Sequence, residues 1–557
     1  MQLIYYLYEK FIEEEKFNVI CIIIFSLLFS VFSTNVISNI TAIIIENVQN
    51  GSLAEVQKYY KIFIGVAILS FVIYYFYKYF QNIFLSKFPE WIKREIIEFI
   101  LNVNNINMSN VNFVNFYNNI MRISTSGYSV FDSVIDTYLP SLSFIIVITL
   151  YLLYNNYTLG FTFLFFNILI ISYLCYFTKN IILQKTSQED KVAELNKYIL
   201  DLFNNIEKVI YRGQAKVEIN DLEEKTKNAI NFTTSYNHYI NNHIFIANSL
   251  SYLNVFIILG YMIYLQSNKK LSTVTFITFF TIVLLYRDRV SDIIRDLPYN
   301  IDSMATIINM IPDFDFALIG EMSIKNVLKQ INETKYIDEN LAFDKITFED
   351  VSFKYGGTDK IIIQNFSQEI YLKNQIIGIV GESGKGKSTI MKLVLRLYEP
   401  TSGHIYIDDV DISKLDPYYI RKHITYVNQN SRLFDKKVIE NIFYACNHQE
   451  SCNSHLKEIM EYSKIKELFK NIDIINDDSG SLGENLSGGQ RQVINIISGL
   501  INPTDILILD EPTNGLDKSL KQDIISIIND FKSYKKCIII ITHDHDVYPI
   551  FEQKITF

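Results

Sequence analysis

The stretch Gly381-Glu382-Ser383-Gly384-Lys385-Gly386-Lys387-Ser388-Thr389 sets glycines, a lysine and hydroxyls in the order that binds phosphate. Gly381, Gly384 and Gly386 let backbone N–H groups turn inward around an anion. Lys387 reaches the β- and γ-phosphates of a nucleotide, and the Ser388 hydroxyl can bind Mg2+. The apolar run Ile376–Val380 precedes the loop and a helical pattern follows from Thr389, which is the context such a loop requires. A helix amino terminus adds its positive dipole end. Further on, Ile506–Leu509 leads into Asp510-Glu511-Pro512-Thr513. An apolar strand ending in two carboxylates suits metal-assisted phosphoryl transfer: Asp510 holds the magnesium, directly or through water, and Glu511 polarises the attacking water.

These groups need a rigid frame. From about residue 344, short β-rich runs alternate with helical ones: KITFEDVSFKY, QIIGIVG, GHIYID, ITYVNQ, DILILDEP and KCIIIITHD. Continuous apolar runs bounded by Asp or Gly suit strands buried on both faces of a largely parallel sheet, so an α/β domain is expected over 344–557.

The rest of the chain is different in kind. At 557 residues, 49% hydrophobic and 20% charged, it is too long for one core and oily for a water-soluble protein. The apolar residues gather in runs at about 18–45, 60–86, 134–155, 157–179, 244–266 and 271–286, each read as a membrane span. A cleaved signal peptide does not fit the first run, because its flank EKFIEEEK is acidic on balance and no small-residue cleavage site follows. The polar stretches 87–131 and 179–243 read as helical and are rich in Lys and Arg, which puts them, the amino terminus and the α/β domain in the cytoplasm. Lys269 and Lys270 vote weakly the other way. Pro140 is expected to kink the third span. The run Arg287–Asp296 reads as a cytoplasmic helix extension with Arg289/Asp292 and Asp292/Arg295 pairs. Residues 1–310 then form a membrane domain and 311–343 a linker.

A net charge of −9 gives no reason to expect a nucleic-acid partner. The five scattered cysteines form no CxxC pair, so buried free thiols are expected rather than a disulfide or zinc site. Abundant Ile, Asn, Lys, Tyr and Phe indicate compositional bias, so aromatic richness carries no functional weight.

Leu486-Ser487-Gly488-Gly489-Gln490, lying between the phosphate loop and the LDEPT strand, resembles the signature of ATP-binding cassette (ABC) transporters. The resemblance covers about 344–557 closely, and the six-span layout with long cytoplasmic extensions looks like the exporter type. It implies that Tyr355 stacks on adenine and that Gln429 couples the magnesium site to the membrane helices. It also makes Glu511 the general base and sets His543 against the γ-phosphate, with His545 a surface residue. Ser383, Thr389 and the signature residues Ser487 to Gln490 would bind ATP. In the family, the signature of one subunit caps ATP held by the phosphate loop of another. A homodimer with ATP and Mg2+ follows, in a lipid bilayer, probing no nucleic acid, with the cell membrane as the expected location and heterodimers as the alternative. The resemblance implies ATP-driven export of an amphipathic or hydrophobic substrate. Peptide or protein secretion and an ATP-gated channel or regulator are the alternatives; an importer is disfavoured. Asn105–Phe116 and Glu207–Lys216 resemble, more weakly, the short helices that touch the cassettes. Two departures from the pattern are the nearness of Phe557 to His543 and a compressed segment before the signature.

Overall fold

A computed structural model describes residues 2–106, 113–315, 336, 340–355, 360–382, 384–429, 432–446 and 449–557. They fall into two compact units, one of 1–98 with 111–317 and one of 99–110 with 318–557, each with its own apolar core.

The described residues of the first unit are helical apart from short turns. Among them five helical segments are long and apolar enough to cross a membrane: Lys16–Gln49, Leu53–Asn102, Tyr117–Asn155, Tyr157–Asn204 and Ala215–Ser267. A further helix, Thr273–Asp315, overlaps the run 271–286 expected as the sixth span, but is not among the segments that pass for length and apolarity. It starts at Thr273 rather than Leu271 because the Ser272 hydroxyl accepts the Thr275 N–H at 3.1 Å, capping the helix there. Its charge-free part ends at Tyr286, so it is the shortest apolar run of the six. The third and fourth spans break at Asn156, whose side chain accepts the Leu159 N–H at 3.1 Å. Large apolar side chains such as Phe71, Phe245 and Phe256 point outward. That is costly against water and natural against lipid.

Inside the continuous helical segment Tyr117–Asn155 a wide π-helical turn, Val134–Tyr138, directly precedes Pro140, which is where the hydrogen-bond ladder adjusts to the missing N–H. The charged run does continue the sixth helix, and Arg295 pairs with Asp292 at 2.8 Å. Arg289, however, lies over the Phe144 ring, 6.0 Å from its centroid. Glu207–Lys216 is a short helix, Ile206–Tyr211, a turn, and the start of Ala215–Ser267. Half of Asn105–Phe116, residues 107–112, lies outside the described residues.

The second unit holds two sheets. Strands β1 (Lys345–Lys354), β2 (Ile361–Tyr371), β4 (Ser402–Ile407) and β5 (Val410–Asp411) form an antiparallel sheet in the order β2-β1-β4-β5. Strands β3 (Gln375–Val380), β6 (Ile424–Val427), β7 (Ile506–Asp510), β8 (Cys537–Ile541) and β9 (Gln553–Thr556) form a parallel sheet in the order β6-β7-β8-β3-β9. Every residue of β7 and β8 is buried, as their unbroken apolar sequences require. The register sets Ile379, Ile541 and Asp510 level across β3, β8 and β7. The loops that follow these three strands therefore converge at the carboxyl edge of the sheet, where α/β proteins place their ligands.

The thiol expectation also changes. Cys446, which follows the helix Val438–Ile442, and Cys452, in the helix Gln449–Met460, form a disulfide. A search for CxxC spacing misses this pair, because the two residues lie six apart in sequence. Cys537 is a buried free thiol, Cys21 is half-buried and Cys175 is exposed on its apolar helix.

Candidate nucleotide site

The phosphate loop joins β3 to the helix Lys387–Val394. Gly386 caps that helix at φ +95°, and a Cβ there would stand 3.2 Å from the Ile362 carbonyl oxygen, so only glycine fits without strain. At Gly381 a Cβ would come within 2.7 Å of the Phe557 carbonyl oxygen, because the end of the chain packs beside β3. Gly384 lies exposed at φ +82°. Ser383 lies outside the described residues. Lys387 is buried, and its ammonium donates to the Gly381 and Glu382 carbonyls at 2.8 Å each, which holds it across the loop.

Asp510 is the hub. Ser388 Oγ donates to its Oδ1 at 2.9 Å and Tyr426 OH to its Oδ2 at 2.6 Å. Burial, and then the charge of Asp510, push the Tyr426 hydroxyl far above the ordinary tyrosine range, so it stays a donor. Sequence reasoning missed Tyr426. In ITYVNQ it reads as an ordinary strand aromatic, and only the pairing of β6 with β7 brings it to the carboxylate.

Glu511 sits at φ +52°, a left-handed conformation that costs a non-glycine residue about 1–3 kcal/mol and often marks a functional turn. Its N–H donates to the Ile541 carbonyl at 2.8 Å, its carboxylate accepts from Thr542 Oγ1 at 3.3 Å, and His543 Nδ1 lies 2.7 Å from Oε1. The histidine is thus brought to the glutamate, with its ring largely exposed. His545 is exposed and packs against Tyr548, as expected of a surface residue. Gln492, also missed, donates to the Glu511 and Pro512 carbonyls at 3.2 and 2.9 Å and so ties the signature helix to this turn. A cleft of about 370 Å3 opens beside Glu511, lined also by Asn514, Gly515, His543 and Asp544. Burial alone would raise the Asp544 carboxyl, but hydrogen bonds from Lys521 and Thr513 outweigh it and hold it below the usual range.

The signature residues head the helix Gly488–Ile501. Ser487 Oγ accepts the Gln490 N–H at 3.2 Å, and Gln490 Oε1 accepts the Ser487 N–H at 2.8 Å, a reciprocal cap. Gln490 Nε2 also donates to the Leu468 carbonyl at 3.0 Å. Around Gly488 the space is open. Tyr355, expected to stack on adenine, meets Phe353 and Tyr398 edge-on, and its hydroxyl lies 3.0 Å from that of Thr389. Both residues are therefore tied into the fold around the phosphate-loop helix. Gln429 is exposed just after β6.

Two family patterns match the chain: the ABC transporter transmembrane region over residues 17–290 and the ABC transporter domain over 363–514. Among similar proteins is the chloroplastic ABC transporter B family member 26 of Arabidopsis thaliana, 36% identical over 36% of this chain and 28% of its own. A Rickettsia prowazekii protein described as an export ATP-binding/permease protein is 32% identical over 60% of this chain and 59% of its own. The lactococcin-G-processing and transport ATP-binding protein of Lactococcus lactis is 30% identical over 43% and 34%. The chain thus spans between about a quarter and three fifths of the length of these relatives. A bacterial Atm1-family ABC exporter solved with ATP bound shares the fold, with a TM-score of 0.73 at 18% identity over 98% of this chain and 93% of that one. A multi-pass helical membrane region and an ATP-binding domain thus lie in one polypeptide, and the chain belongs to the ABC transporter family.

Proposed function

We propose that this chain hydrolyses ATP to drive export of an amphipathic or hydrophobic substrate across the cell membrane, working as a homodimer with its ATP-binding domain in the cytoplasm. The observation that carries the reading is the meeting of the phosphate loop, Asp510 and Glu511 at the edge of one sheet. The membrane domain is taken as 1–310, the linker as 311–343 and the ATP-binding domain as 344–557.

Hard oxygen donors at Ser388 and Asp510, 2.9 Å apart, are the donor set that suits Mg2+, and the exposed amide of Gln429 would complete it. When bound, the ion offsets charge on the phosphate oxygens. The chain's own groups do the rest. Lys387 and the loop amides of Gly381, Ser383, Gly384, Gly386, Ser388 and Thr389 bind the phosphates. Glu511, steadied by Thr542, accepts a proton from the attacking water, and His543 orients that carboxylate and meets the γ-phosphate. Tyr355 packs against the adenine. Ser487, Gly488 and Gly489 offer the amides of a helix amino terminus to the ATP of a second copy. Loss of the γ-phosphate then separates the copies and moves the membrane helices.

The test uses the full chain in lipid vesicles. Mg2+-dependent ATP hydrolysis with ATP-dependent accumulation of a substrate supports the reading, and ATP binding without hydrolysis overturns it. Peptide export is the second reading, favoured by the similarity to the Lactococcus processing and transport protein.

A further inference from the structure

Cys446 and Cys452 are bonded in a domain that the export reading puts in the cytoplasm, where small thiols keep cysteines reduced. A disulfide that forms there is as a rule transient, made and broken by the thiol pool. Stability gives this one little reason to exist. It joins residues only six apart, and the gain from a disulfide grows with the length of the loop it closes. Cys452 is fully buried in the apolar core that includes Leu456, Ile459, Ile497 and Leu500, so packing already fixes its helix.

The surroundings of the two sulfurs differ. Cys446 is half-buried in the turn after Val438–Ile442, where a small oxidant can reach it. Its neighbour Ala445 is held at φ +69°, a left-handed conformation that is costly for a residue with a Cβ and collects at switch regions. Cys452 Sγ lies 3.4 Å from the carbonyl oxygen of Ile501, the last residue of the signature helix. That carbonyl has no partner within its own helix. A free thiol at Cys452 donates to it, whereas a sulfur spent in a disulfide has no hydrogen to give. The one sulfur therefore has two exclusive partners, Cys446 or the end of the signature helix. The other end of that helix starts at Ser487, and Gln492 ties it to the Glu511 turn.

We propose that Cys446 and Cys452 form a reversible thiol–disulfide site, oxidised by a small-molecule disulfide of the glutathione type, and that oxidation slows ATP hydrolysis. The inference rests on the export reading, which supplies the reducing compartment and the hydrolysis. In the first step the Cys446 thiolate attacks one sulfur of the small disulfide, and one small thiol leaves. The Cys452 thiolate then attacks the Cys446 sulfur and expels the second. Two protein thiols are oxidised, one small disulfide is reduced to two thiols, and the two protons pass to them. Oxidation staples the turn to Gln449–Met460, which packs on the signature helix, and takes a hydrogen bond from the end of that helix. Reduction restores the bond and frees the turn, so that the signature can approach and leave a second copy.

The test equilibrates the detergent-solubilised full chain in glutathione buffers from fully reduced to fully oxidised and traps free thiols by alkylation. Peptide masses then give the reduced fraction of the pair, independently of turnover. The pair is expected to convert between the two ends of the series. A bond that survives reduced glutathione, thiols that survive oxidised glutathione, or a glutathione left attached to Cys446 each overturn the proposal. ATP hydrolysis by the same samples should be several-fold slower in the oxidised chain and recover with dithiothreitol. Cys446→Ser should hydrolyse at one rate in every buffer, whereas Cys175→Ser, which removes the exposed free thiol, should keep the parent's response. Equal rates in the oxidised and reduced parent, or the parent's response in Cys446→Ser, overturn the proposal. No hydrolysis in either state refutes the export reading instead, and the thiol masses still decide the site.

Discussion

Asp510 spends both carboxylate oxygens inside the site, one on Ser388 and one on Tyr426. The tyrosine matters because an oriented carboxylate makes a better ligand than a swinging one. Tyr426→Phe should therefore weaken the Mg2+ dependence of ATP binding by roughly 10–100-fold, the range for lost outer partners of a metal ligand. A Mg2+ titration of ATP hydrolysis checks this, and an unchanged half-saturating Mg2+ concentration would show that Tyr426 only packs. Glu511 is held from two sides, by Thr542 and by His543. Replacing it with Gln keeps the shape and removes the base, so hydrolysis should fall by roughly 10²–10⁴-fold while ATP still binds. Retention of labelled ATP beside phosphate release separates the two effects, and turnover at the parent rate would refute the assignment.

At the scale of the elements, β7, β8 and β3 are fixed by burial, and the loops after them inherit that rigidity. Lys535 precedes β8 and is almost wholly buried, with its ammonium bonded to the carbonyls of Asn502 and Thr504. Burial outweighs the nearby charge of Asp505 and pushes its pKa from the ordinary 10.5 down to about 8. From about pH 8 to 10.5 the unfolded chain keeps a proton that the folded chain has released, so this residue's contribution to stability grows with pH across that window. Below about pH 8 both states hold the proton, so the full cost of burying the charge is present and stability no longer changes with pH through this residue. The urea midpoint of the α/β unit, followed by circular dichroism in the full chain, should rise from pH 8 to 10 in the parent relative to Lys535→Met. Parallel pH profiles for the two proteins would contradict this account.

For the whole molecule, the signature residues bond among themselves and to Leu468, and their helix amino terminus faces open space. A site completed by a second copy has a direct signature. Lys387→Ala and Ser487→Arg should each be inactive alone. Mixed before reconstitution, they should recover a measurable fraction of parent ATPase activity, since one pairing of copies restores one intact site. If the mixture stays as inactive as its components, each chain completes its own site or none.

Residue order alone determined the phosphate loop, the two acids, the signature and the apolar runs, because each is a local pattern whose chemistry needs particular residues at particular spacing. The α/β character of the second unit was legible for the same reason, since strands buried on both faces read as unbroken apolar runs. Pairings between distant segments were not legible. Tyr426 reaches Asp510 only because β6 lies beside β7, and Gln492 reaches Glu511 only because the signature helix packs on that turn. The Cys446–Cys452 bond and the meeting of Lys78 with Asp136 have the same origin. Local sequence sets what each side chain can do, whereas register and packing between elements decide which side chains do it together.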